Sequence, residues 1–261
     1  MILIRGAGDI ASGIAVRLYR CGFTLAMTDL QQPTSIRRTV CFSEAILHGA
    51  CTVEGVTAEQ AASLNDAKAI WQRGHIPVFA DDEGTVRAML QPDAVVDARL
   101  AKVNLDTTLT DAPIVVAVGP GFTAGQDCHA VVETQRGHYL GRVIYEGAVA
   151  PNTGIPGNIG GYTVERIVRA PKAGTFHPVH AIGDQVEADE IVAYVDEAPV
   201  RCQIGGTLRG ILPEGIRVFE GMKSGDVDPR CKPDHCFCAS DKALSVGGGV
   251  LEALLHFGYR E

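Results

Sequence analysis

The sequence predicts an α/β fold: a doubly wound, mainly parallel sheet, followed by a small all-β module and a C-terminal helix. Within residues 1–162, short apolar runs alternate with helical periods, which is typical of strands buried on both faces of a parallel sheet. After Pro151, short strand-like runs separated by Gly-rich turns indicate an all-β segment. We therefore predict one domain at residues 1–162, a second at 163–230, and a Cys-containing segment with a helix at 231–261.

Composition limits the function classes. The chain has 261 residues, a formal net charge of −8 and 46% hydrophobic residues. The acidic balance argues against a general binder of nucleic acids or anionic membranes, because phosphate groups are attracted by clustered Lys and Arg. No apolar run reaches the ~18 residues that cross a bilayer. The first residues indicate a strand rather than a signal peptide, so we expect a cytoplasmic protein whose eight cysteines are thiols.

The first elements follow in order. Met1–Arg5 is an apolar run that predicts a buried strand, and the apolar period from Ile10 predicts a helix that ends at Gly22. Phe23–Asp29 predicts the next strand. Thr57–Gln60 resembles a capping box, so a helix is expected from there to about Arg73. Further buried strands are predicted at Ile76–Ala80, Ala94–Ala98, Pro113–Val118 and Ala130–Glu133.

A glycine-rich turn follows the first strand. Its pattern, Gly6-x-Gly8-x-x-Ala11, stands between a strand and a helix, and Asp29 ends the next strand. In a Rossmann-like unit these small residues let a pyrophosphate approach the backbone, while the acidic residue binds ribose hydroxyls and favours NAD. The alternative is a Rossmann-like unit that binds another ligand or none.

Polar residues after the later strands extend this predicted site, because ligands lie beyond the carboxyl ends of strands in open α/β sheets. Asp97, Lys102 and His138 are the candidate catalytic residues, and a purely structural role is the alternative for His138. The other candidate contacts to the cofactor are Asp9, Ile10, Arg37, Arg99, Gly119, Gly121 and Arg136. A carboxylate at Asp9 would oppose a pyrophosphate unless its side chain points away.

The segment from Arg169 to Asp228 resembles the barrel-sandwich fold of biotinyl and lipoyl domains. The resemblance rests on Ala170–Gly174, on Ile182–Val186 and on Gly205–Leu208. Those carrier domains present a lysine on a hairpin, whereas the corresponding hairpin here, Val195–Val200, contains none. We therefore predict a module that packs or docks a partner rather than one that carries a prosthetic group.

Two features lie near the carboxyl terminus. Cys231, His235, Cys236 and Cys238 are four soft ligands within eight residues, so they are candidates for a metal site, with Cys236 also a candidate reactive thiol. Their spacing does not match the paired Cys-x2-Cys units of zinc sites. The helix predicted from Ser240 contains three consecutive glycines at 247–249, which are tolerated only if it packs closely against another backbone or a ligand.

Together these segments resemble the YqeB-type accessory proteins of selenium-dependent molybdenum hydroxylase systems. The resemblance is carried by Ile4–Ala15, Gln32–Arg38, Val53–Val56, Val96–Lys102, Gly119–Gly125, Arg136–Arg142 and Gly225–Arg230. It implies a role in maturation: supplying or installing the selenium ligand, with Cys231, Cys236 or Cys238 as carriers of the chalcogen. The amino-terminal half also resembles the Rossmann portion of XdhC-type chaperones, which adds a molybdenum pterin dinucleotide to NAD as a possible cofactor.

Three hypotheses about function follow. The first is an accessory protein that binds a dinucleotide-like ligand and acts on the cofactor of a partner hydroxylase. The second is an NAD-dependent oxidoreductase that acts on a small substrate, and the third is a non-catalytic docking scaffold. The expected partners are a molybdenum hydroxylase or its maturation proteins and further copies of the chain, with no nucleic acid and no membrane.

Overall fold

A computed structural model describes residues 1–260, which form two compact units. The large unit contains Met1–Pro33, Cys41–Thr153 and the chain from Ala239 onward. The small unit contains Thr34–Val40 and Gly154–Cys238. The division therefore differs from the predicted ranges, because both a short early segment and the Cys-containing segment pack in the small unit.

A mixed sheet forms the centre of the large unit. The strands of this unit are β1 (Ile2–Arg5), β2 (Leu25–Asp29), β3 (Ala50–Val53), β4 (Val56–Ala61), β5 (Ile76–Ala80), β6 (Ala94–Asp97), β7 (Ile114–Val118), β8 (Thr123–Ala124), β9 (Ala130–Val132), β10 (Val143–Ile144) and β11 (Gly147–Ala148). Nine of them form one sheet in the order β10-β9-β7-β6-β1-β2-β5-β4-β3, while β8 and β11 form a separate pair. The inner strands are parallel, and the edge strands β3 and β10 are antiparallel.

Five helices accompany this sheet within residues 1–260: α1 (Asp9–Arg20), α2 (Glu44–His48), α3 (Leu64–Gln72), α4 (Val86–Leu90) and α5 (Asp241–His256). Helices α1 and α5 touch along glycines. A Cβ on Gly13 would lie 2.5 Å from the Cβ of Ala243, and a Cβ on Gly247 would lie 3.2 Å from the Cα of Ile14. The predicted close packing of the glycine-containing helix is thus confirmed. None of these helices has the length and apolar character that a membrane crossing requires.

The helix predicted from Thr57 to Arg73 is wrong in its first part. Thr57–Gln60 lies in β4, where buried and more exposed side chains alternate. The helix begins only after Ser63, whose hydroxyl accepts a hydrogen bond from the amide of Asp66 at 3.1 Å. A Thr-x-x-Gln sequence therefore occurs here without its capping geometry, because strand pairing already satisfies the backbone amides.

The predicted Rossmann-like doubly wound sheet is wrong as a description of this unit. A doubly wound sheet needs a helical crossover between successive parallel strands. The connection from β6 to β7, residues 98–113, contains no helix, and neither does the connection from β7 to β9, residues 119–129. The sheet is mixed, with antiparallel edges, and α5 from the chain terminus packs against β7, β9 and β10. Apolar runs identify buried strands, but they specify neither the strand direction nor what covers the sheet.

The strands of the small unit are short: β12 (Ile167–Arg169), β13 (Gly174–Pro178), β14 (Gln185–Val186), β15 (Ile191–Val195), β16 (Ala198–Arg201), β17 (Gly206–Ile211), β18 (Arg217–Val218) and β19 (Lys223–Asp228). Single turns of 3-10 helix lie at Arg38–Val40, Val164–Arg166 and Pro233–Cys236. They form two antiparallel sheets, β12-β19-β17-β14 and β16-β15-β13-β18. Phe176, Val192 and Leu208 are fully buried in the apolar core of this unit. Ile36, from the early segment, packs against the same core and accepts a hydrogen bond from the amide of Ile211 at 2.8 Å.

The predicted biotinyl/lipoyl-like barrel-sandwich module is corrected in the same way. The observed unit is a pair of four-stranded antiparallel sheets whose pairing shifts register at three places, between Val168 and Arg169, between Ile191 and Ala193 and between Leu208 and Gly210. It also includes residues 34–40, which are far away in the sequence. The turn spacing in the sequence predicted an all-β segment, but it carries no information about a segment added from elsewhere.

Candidate functional site

The carboxyl edge of the parallel strands collects most of the predicted site. β1 ends at Arg5, β6 at Asp97, β7 at Val118 and β9 at Val132, and the loops that follow these strands contain the candidate residues. Parallel strands end at the same edge of a sheet, so the loops meet there. We refer to this region of the large unit as the carboxyl edge.

The glycine-rich turn packs against a neighbouring loop. Gly6 has a φ of +101°, and a Cβ at this position would lie 2.9 Å from the carbonyl oxygen of Ala98. Gly8 is the N-cap of α1, and Ile10 and Ala11 are buried in that helix. Gly6 therefore allows the loop after β6 to lie directly on the turn, a role that differs from admitting a pyrophosphate.

The carboxylate of Asp29 binds the backbone of this turn. Its Oδ2 atom accepts a hydrogen bond from the amide of Ala7 at 2.8 Å, and its Oδ1 atom accepts one from the amide of Leu30 at 2.8 Å. Burial raises the pKa of Asp29, and these backbone hydrogen bonds partly oppose the rise. Each carboxylate oxygen of Asp29 thus accepts one backbone hydrogen bond, which fixes the side chain against the glycine-rich turn. The predicted Rossmann NAD-binding fold is wrong, because the sheet lacks the helical crossovers of a doubly wound sheet. The NAD-dependent oxidoreductase stays a hypothesis.

Asp97 and Arg99 form a closed pair at the end of β6. Asp97 is buried, and its Oδ1 atom accepts from the amide and Nε of Arg99, both at 3.1 Å. Its Oδ2 atom accepts from Nη2 of Arg99 at 2.6 Å and from the hydroxyl of Thr107 at 2.6 Å. The guanidinium of Arg99 is thereby fixed along its Nε–Nη2 side, which removes most of the side-chain freedom that an arginine normally has.

Arg5 and Asp106 extend this pair into a network. Nη2 of Arg5 donates to Asp106 at 2.6 Å, and Nη1 donates to Thr107 at 2.9 Å. Asp106 also accepts from Nη2 of Arg99 at 2.6 Å. Burial opposes the charged form of Asp106, but the hydrogen bonds from Arg5 and Arg99 prevail and lower its pKa. Burial likewise opposes the charge of Arg99, yet the carboxylates of Asp97 and Asp106 raise its pKa.

The loop 98–105 has an unusual backbone. Leu100 has a φ of +56° and Lys102 a φ of +67°, values that side chains other than glycine seldom adopt. A Cβ on Gly121 would lie 2.6 Å from the Cα of Val103, so the loop after β7 lies directly against this one. Strained backbone of this kind costs of order 1–3 kcal/mol per residue and persists only where neighbouring structure enforces it. Gly119, which begins the loop after β7, also has a positive φ of +84°.

A lysine that the sequence analysis did not single out lies at the same edge. Lys242, in the first turn of α5, is half-buried. Burial, and next the positive charge of Arg136, lower its pKa, whereas three acidic groups raise it. These acidic groups are Asp9, Glu133 and Asp241. The helix predicted from Ser240 already places Lys242 in its opening turn, but no sequence pattern links this lysine to Arg136 or Glu133.

Arg136 and Glu133 hold the loop after β9. Arg136 forms a two-pronged salt bridge to Asp241, with N–O distances of 2.7 and 2.9 Å. Glu133 is buried, and its two oxygens accept from the amides of Gln135 at 2.7 Å and Ala150 at 2.8 Å. Of the predicted residues, the structure thus brings Asp9 and Arg136 to Lys242, while Asp97 and Arg99 form the neighbouring network.

His138, a predicted acid/base, is exposed. Its ring packs edge-on against Tyr139, with ring centres 5.1 Å apart, and it forms no ion pair or hydrogen bond with any residue in 1–260. This setting lacks the partner that orients a catalytic imidazole. Tyr139 in turn supports the guanidinium of Arg142, which lies 4.5 Å above its ring centre.

The cysteine segment packs in the small unit. Cys236 is fully buried, and this burial raises the pKa of its thiol. Cys231 is exposed, and Cys238 is partly buried. In the part of the chain that the structure describes, no three His, Cys, Asp or Glu side chains come together as metal ligands, so Cys231, His235, Cys236 and Cys238 are not assembled. Arg37, a predicted phosphate contact, is buried here and donates to the carbonyls of His235 and Cys238.

A second ion network in the small unit was not predicted. Asp226 and Asp228 are buried on one face of β19, because residues two apart share a face of a strand. Arg209 contacts both carboxylates from a point where the pairing of β17 with β19 shifts register, and Arg166 donates to Asp226 at 2.7 Å. The alternation of Asp with Gly and Val in Gly225–Asp228 was the available signal.

Arg230 holds Asp228 in the manner in which Arg99 holds Asp97. Its amide and Nε donate to Oδ1 of Asp228 at 3.0 and 2.9 Å, and its Nη2 donates to Oδ2 at 2.6 Å. In both places the residue after the arginine has a positive φ: +56° at Leu100 and +53° at Cys231. Each unit therefore contains one Val-Asp-x-Arg segment in which arginine folds back onto a buried carboxylate.

Comparison with known proteins gives one match to a curated sequence, to a YqeB-type protein, and no family model matches the chain. The relative is the "uncharacterized protein YqeB" of Escherichia coli K12, 49% identical over 255 residues. The alignment covers 98% of this chain and 47% of that protein, so the chain spans about half the length of its curated relative. The similarity supports the YqeB-type resemblance, and the relative's name says nothing about selenium or molybdenum.

Two solved structures show weaker likeness. A succinylglutamate desuccinylase/aspartoacylase from Rhodobacter sphaeroides has a TM-score of 0.24 and 17% identity, covering 55% of this chain and 60% of that chain. An aspartoacylase family protein from Mesorhizobium loti has a TM-score of 0.27 and 11% identity, covering 87% and 84%. Neither is named as a Rossmann NAD-binding protein, and scores this low carry no argument about fold or function.

Proposed function

We propose that the chain is an accessory protein in the maturation of selenium-dependent molybdenum hydroxylases, where it assists installation of the selenium ligand on the molybdenum cofactor. One observation carries the proposal. Four of the segments on which the resemblance rests meet at the carboxyl edge of the large unit: the turn at Gly6, the Asp97–Lys102 loop, the Gly119–Gly125 loop and the loop containing Arg136. Segments that are far apart in sequence thus converge on one place.

Lys242 supports a binding or proton-transfer role for this edge. An ammonium group is unfavourable there, because burial and Arg136 both oppose its charge and because the start of a helix is electropositive. A residue that lowers stability in this way is typical of functional sites. The carboxylates of Asp9 and Glu133 lie near enough for their negative charge to favour the ammonium form of Lys242.

The cofactor of the partner enzyme is the substrate in this proposal. A molybdenum pterin dinucleotide carries a pyrophosphate, and two of the groups at the carboxyl edge that suit an anion are Arg136 and Lys242. The salt bridge of Arg136 to Asp241 and the carboxylates near Lys242 give the site both signs of charge. We propose that they contact the pyrophosphate of the ligand while the partner enzyme retains the metal.

The decisive experiment is genetic and analytical. The gene is deleted in its host, and a selenium-dependent molybdenum hydroxylase is purified from the deletion strain and from the parent strain. We expect a lower selenium content per molybdenum in the hydroxylase from the deletion strain, with unchanged abundance of the hydroxylase. Equal selenium content in both preparations rejects the proposed function.

Complementation links the result to the site. A plasmid that encodes the wild-type chain should restore the selenium content, whereas Lys242→Met should restore little of it. Lys68→Met is the matched control, since Lys68 is an exposed lysine in α3 of the same unit. If both variants restore selenium equally, the function stands but the carboxyl edge is not where it is performed.

A further inference from the structure

The loop 98–105 contains two cationic side chains: Arg99, which is held by carboxylates, and Lys102, which is exposed. Arg99 is held by Asp97 and Asp106 through Nε and Nη2, and its Nη1 atom donates no hydrogen bond to any residue in 1–260. Its side chain is 23% exposed. Lys102 is exposed, and within the same described residues its ammonium forms no ion pair. A fixed guanidinium with an unused donor is a prearranged anion contact, because little freedom remains to be lost on binding.

The loop backbone keeps these two groups close together. Arg99 and Lys102 are three positions apart in the chain, so their Cα atoms are on the order of 10 Å apart at most. The loop cannot move away easily, because Gly6 contacts it at Ala98 and Gly121 contacts it at Val103. The positive φ of Lys102 is therefore enforced from both sides, and the backbone fixes the point from which its side chain leaves the loop.

Apolar side chains flank these cations. Val103 is 57% exposed and Leu105 is 59% exposed, and both belong to the same loop. When a ligand covers exposed aliphatic side chains, the free energy falls by about 25 cal/mol per Å² of apolar surface removed from water. Cations and apolar side chains next to each other match a ligand with an anionic end and an apolar end.

We infer that the loop 98–105 binds an oxyanion, a carboxylate or a phosphate, that is attached to an apolar body. Arg99 and Lys102 contact the oxyanion. Val103 and Leu105 contact the body. The inference rests on the proposed function in placing the ligand at the carboxyl edge, and it adds the chemical class that this loop selects.

Nuclear magnetic resonance titration of the full chain tests the inference. The probes are phenyl phosphate and benzoate, with inorganic phosphate as the probe that lacks an apolar body. We expect one of the first two to shift the amide signals of residues 98–105 saturably, and the one that does so identifies the oxyanion. Inorganic phosphate should bind at least tenfold more weakly. No saturable shift with either ring-bearing probe overturns the inference, and equal binding of inorganic phosphate overturns the apolar contact.

Two variants and a control separate binding from folding. Lys102→Gln should weaken the better probe at least tenfold, and Lys102→Gly should do the same while raising the melting temperature, because glycine accepts a positive φ without strain. Lys68→Gln, at an exposed position of α3, should bind like the wild type. Equal weakening by Lys68→Gln would show diffuse charge attraction and overturn the inference. If the hydroxylase loses selenium on gene deletion but no probe binds, the proposed function stands and this inference fails.

Discussion

Gly249 of α5 lies directly against the carbonyl group of Gly141, in the loop that precedes β10. A Cβ on Gly249 would overlap that oxygen and would also lie 2.7 Å from a methyl group of Val132. On the other side of the contact, a Cβ on Gly141 would lie 2.7 Å from the carbonyl oxygen of Ser245. Two backbones therefore meet without side chains between them, and the helix covers the end of the large sheet at this point.

Substitutions in the glycine run should have opposite effects at neighbouring positions. Gly249→Ala should lower the free energy of unfolding by about 1–3 kcal/mol, because the added methyl group must push the backbone of Gly141 away. Gly248→Ala is the control, since a Cβ there meets nothing within 4 Å. It should raise stability by roughly 0.5–1 kcal/mol through helix propensity. Urea unfolding measures both changes. A Gly249→Ala protein that is as stable as the wild type would contradict the packing described.

Replacement of Lys242 should stabilise the protein. The pKa of Lys242 is lowered in the folded state, so the folded protein binds this proton less readily than the unfolded chain does. The resulting penalty is fully present below the folded pKa and disappears as the pH rises towards ~10.4, the value of an unfolded lysine. Lys242→Met should therefore add about 0.5–2 kcal/mol at neutral pH and less at high pH. Lys68→Met should change stability little at either pH, and the same gain in both variants would argue against the site.

Asp228 should make the small unit sensitive to acid. Although burial opposes its charge, the hydrogen bonds from Arg230 and the nearby charge of Arg209 lower its pKa. A carboxylate with a depressed pKa stabilises the fold above its unfolded value of ~3.9 and loses this contribution as the pH falls further. Asp228→Asn should cost about 3–5 kcal/mol at pH 7, because it removes the charge of a buried carboxylate that both Arg209 and the partly exposed Arg230 contact.

The control for this variant is Asp189→Asn, in the same unit. The side chain of Asp189 is 86% exposed and its φ is +68°, a conformation that Asn tolerates. Its effect on unfolding should be small. The difference between wild type and Asp228→Asn should shrink as the pH falls below 4, as denaturant midpoints measured from pH 7 to pH 3 would reveal. A difference that does not depend on pH would exclude Asp228 as the titrating group.

Thiol labelling should separate the cysteines by burial. Cys21 and Cys231 are exposed and should react with iodoacetamide in the native protein. Burial raises the pKa of Cys128 to about 12, and it also raises the pKa of Cys236. These two thiols should react only after unfolding in urea, as peptide mass spectrometry would show. Rapid native labelling of Cys236 would restore it as a candidate reactive thiol.

Strands are more predictable from this sequence than the way in which they pair. The run Ile76–Ala80 predicted β5 correctly, because a continuous apolar segment has to be buried on both sides. The antiparallel edge strands, by contrast, leave no local trace that distinguishes them from parallel ones. Residues 34–40 pack in the small unit although they precede it by more than 100 residues, and only tertiary contacts, which no local pattern reports, place them there.

The site was predictable at the strand ends and not beyond them. Asp97 and Arg99 follow a buried strand directly, so their place at the carboxyl edge follows from the strand itself. Lys242 lies more than 100 residues after Glu133 in the sequence, and no spacing pattern connects the two residues. Asp29 was placed correctly at the end of β2, but its hydrogen bond to Ala7 depends on the exact course of the turn. Sequence patterns predict where a residue lies along the chain, but the hydrogen-bond partner of each carboxylate oxygen depends on the folded course of the backbone.

The two Val-Asp-x-Arg segments show that this turn does not depend on the type of sheet that precedes it. Asp97 ends a strand with parallel neighbours, and Asp228 ends a strand with antiparallel neighbours. The middle residue also differs, Ala98 in one and Pro229 in the other. The fold-back of arginine onto aspartate is thus a self-contained way of ending a strand, a local unit that the chain uses twice. It could be transferred to another protein wherever a buried strand must stop and present a guanidinium group at its end.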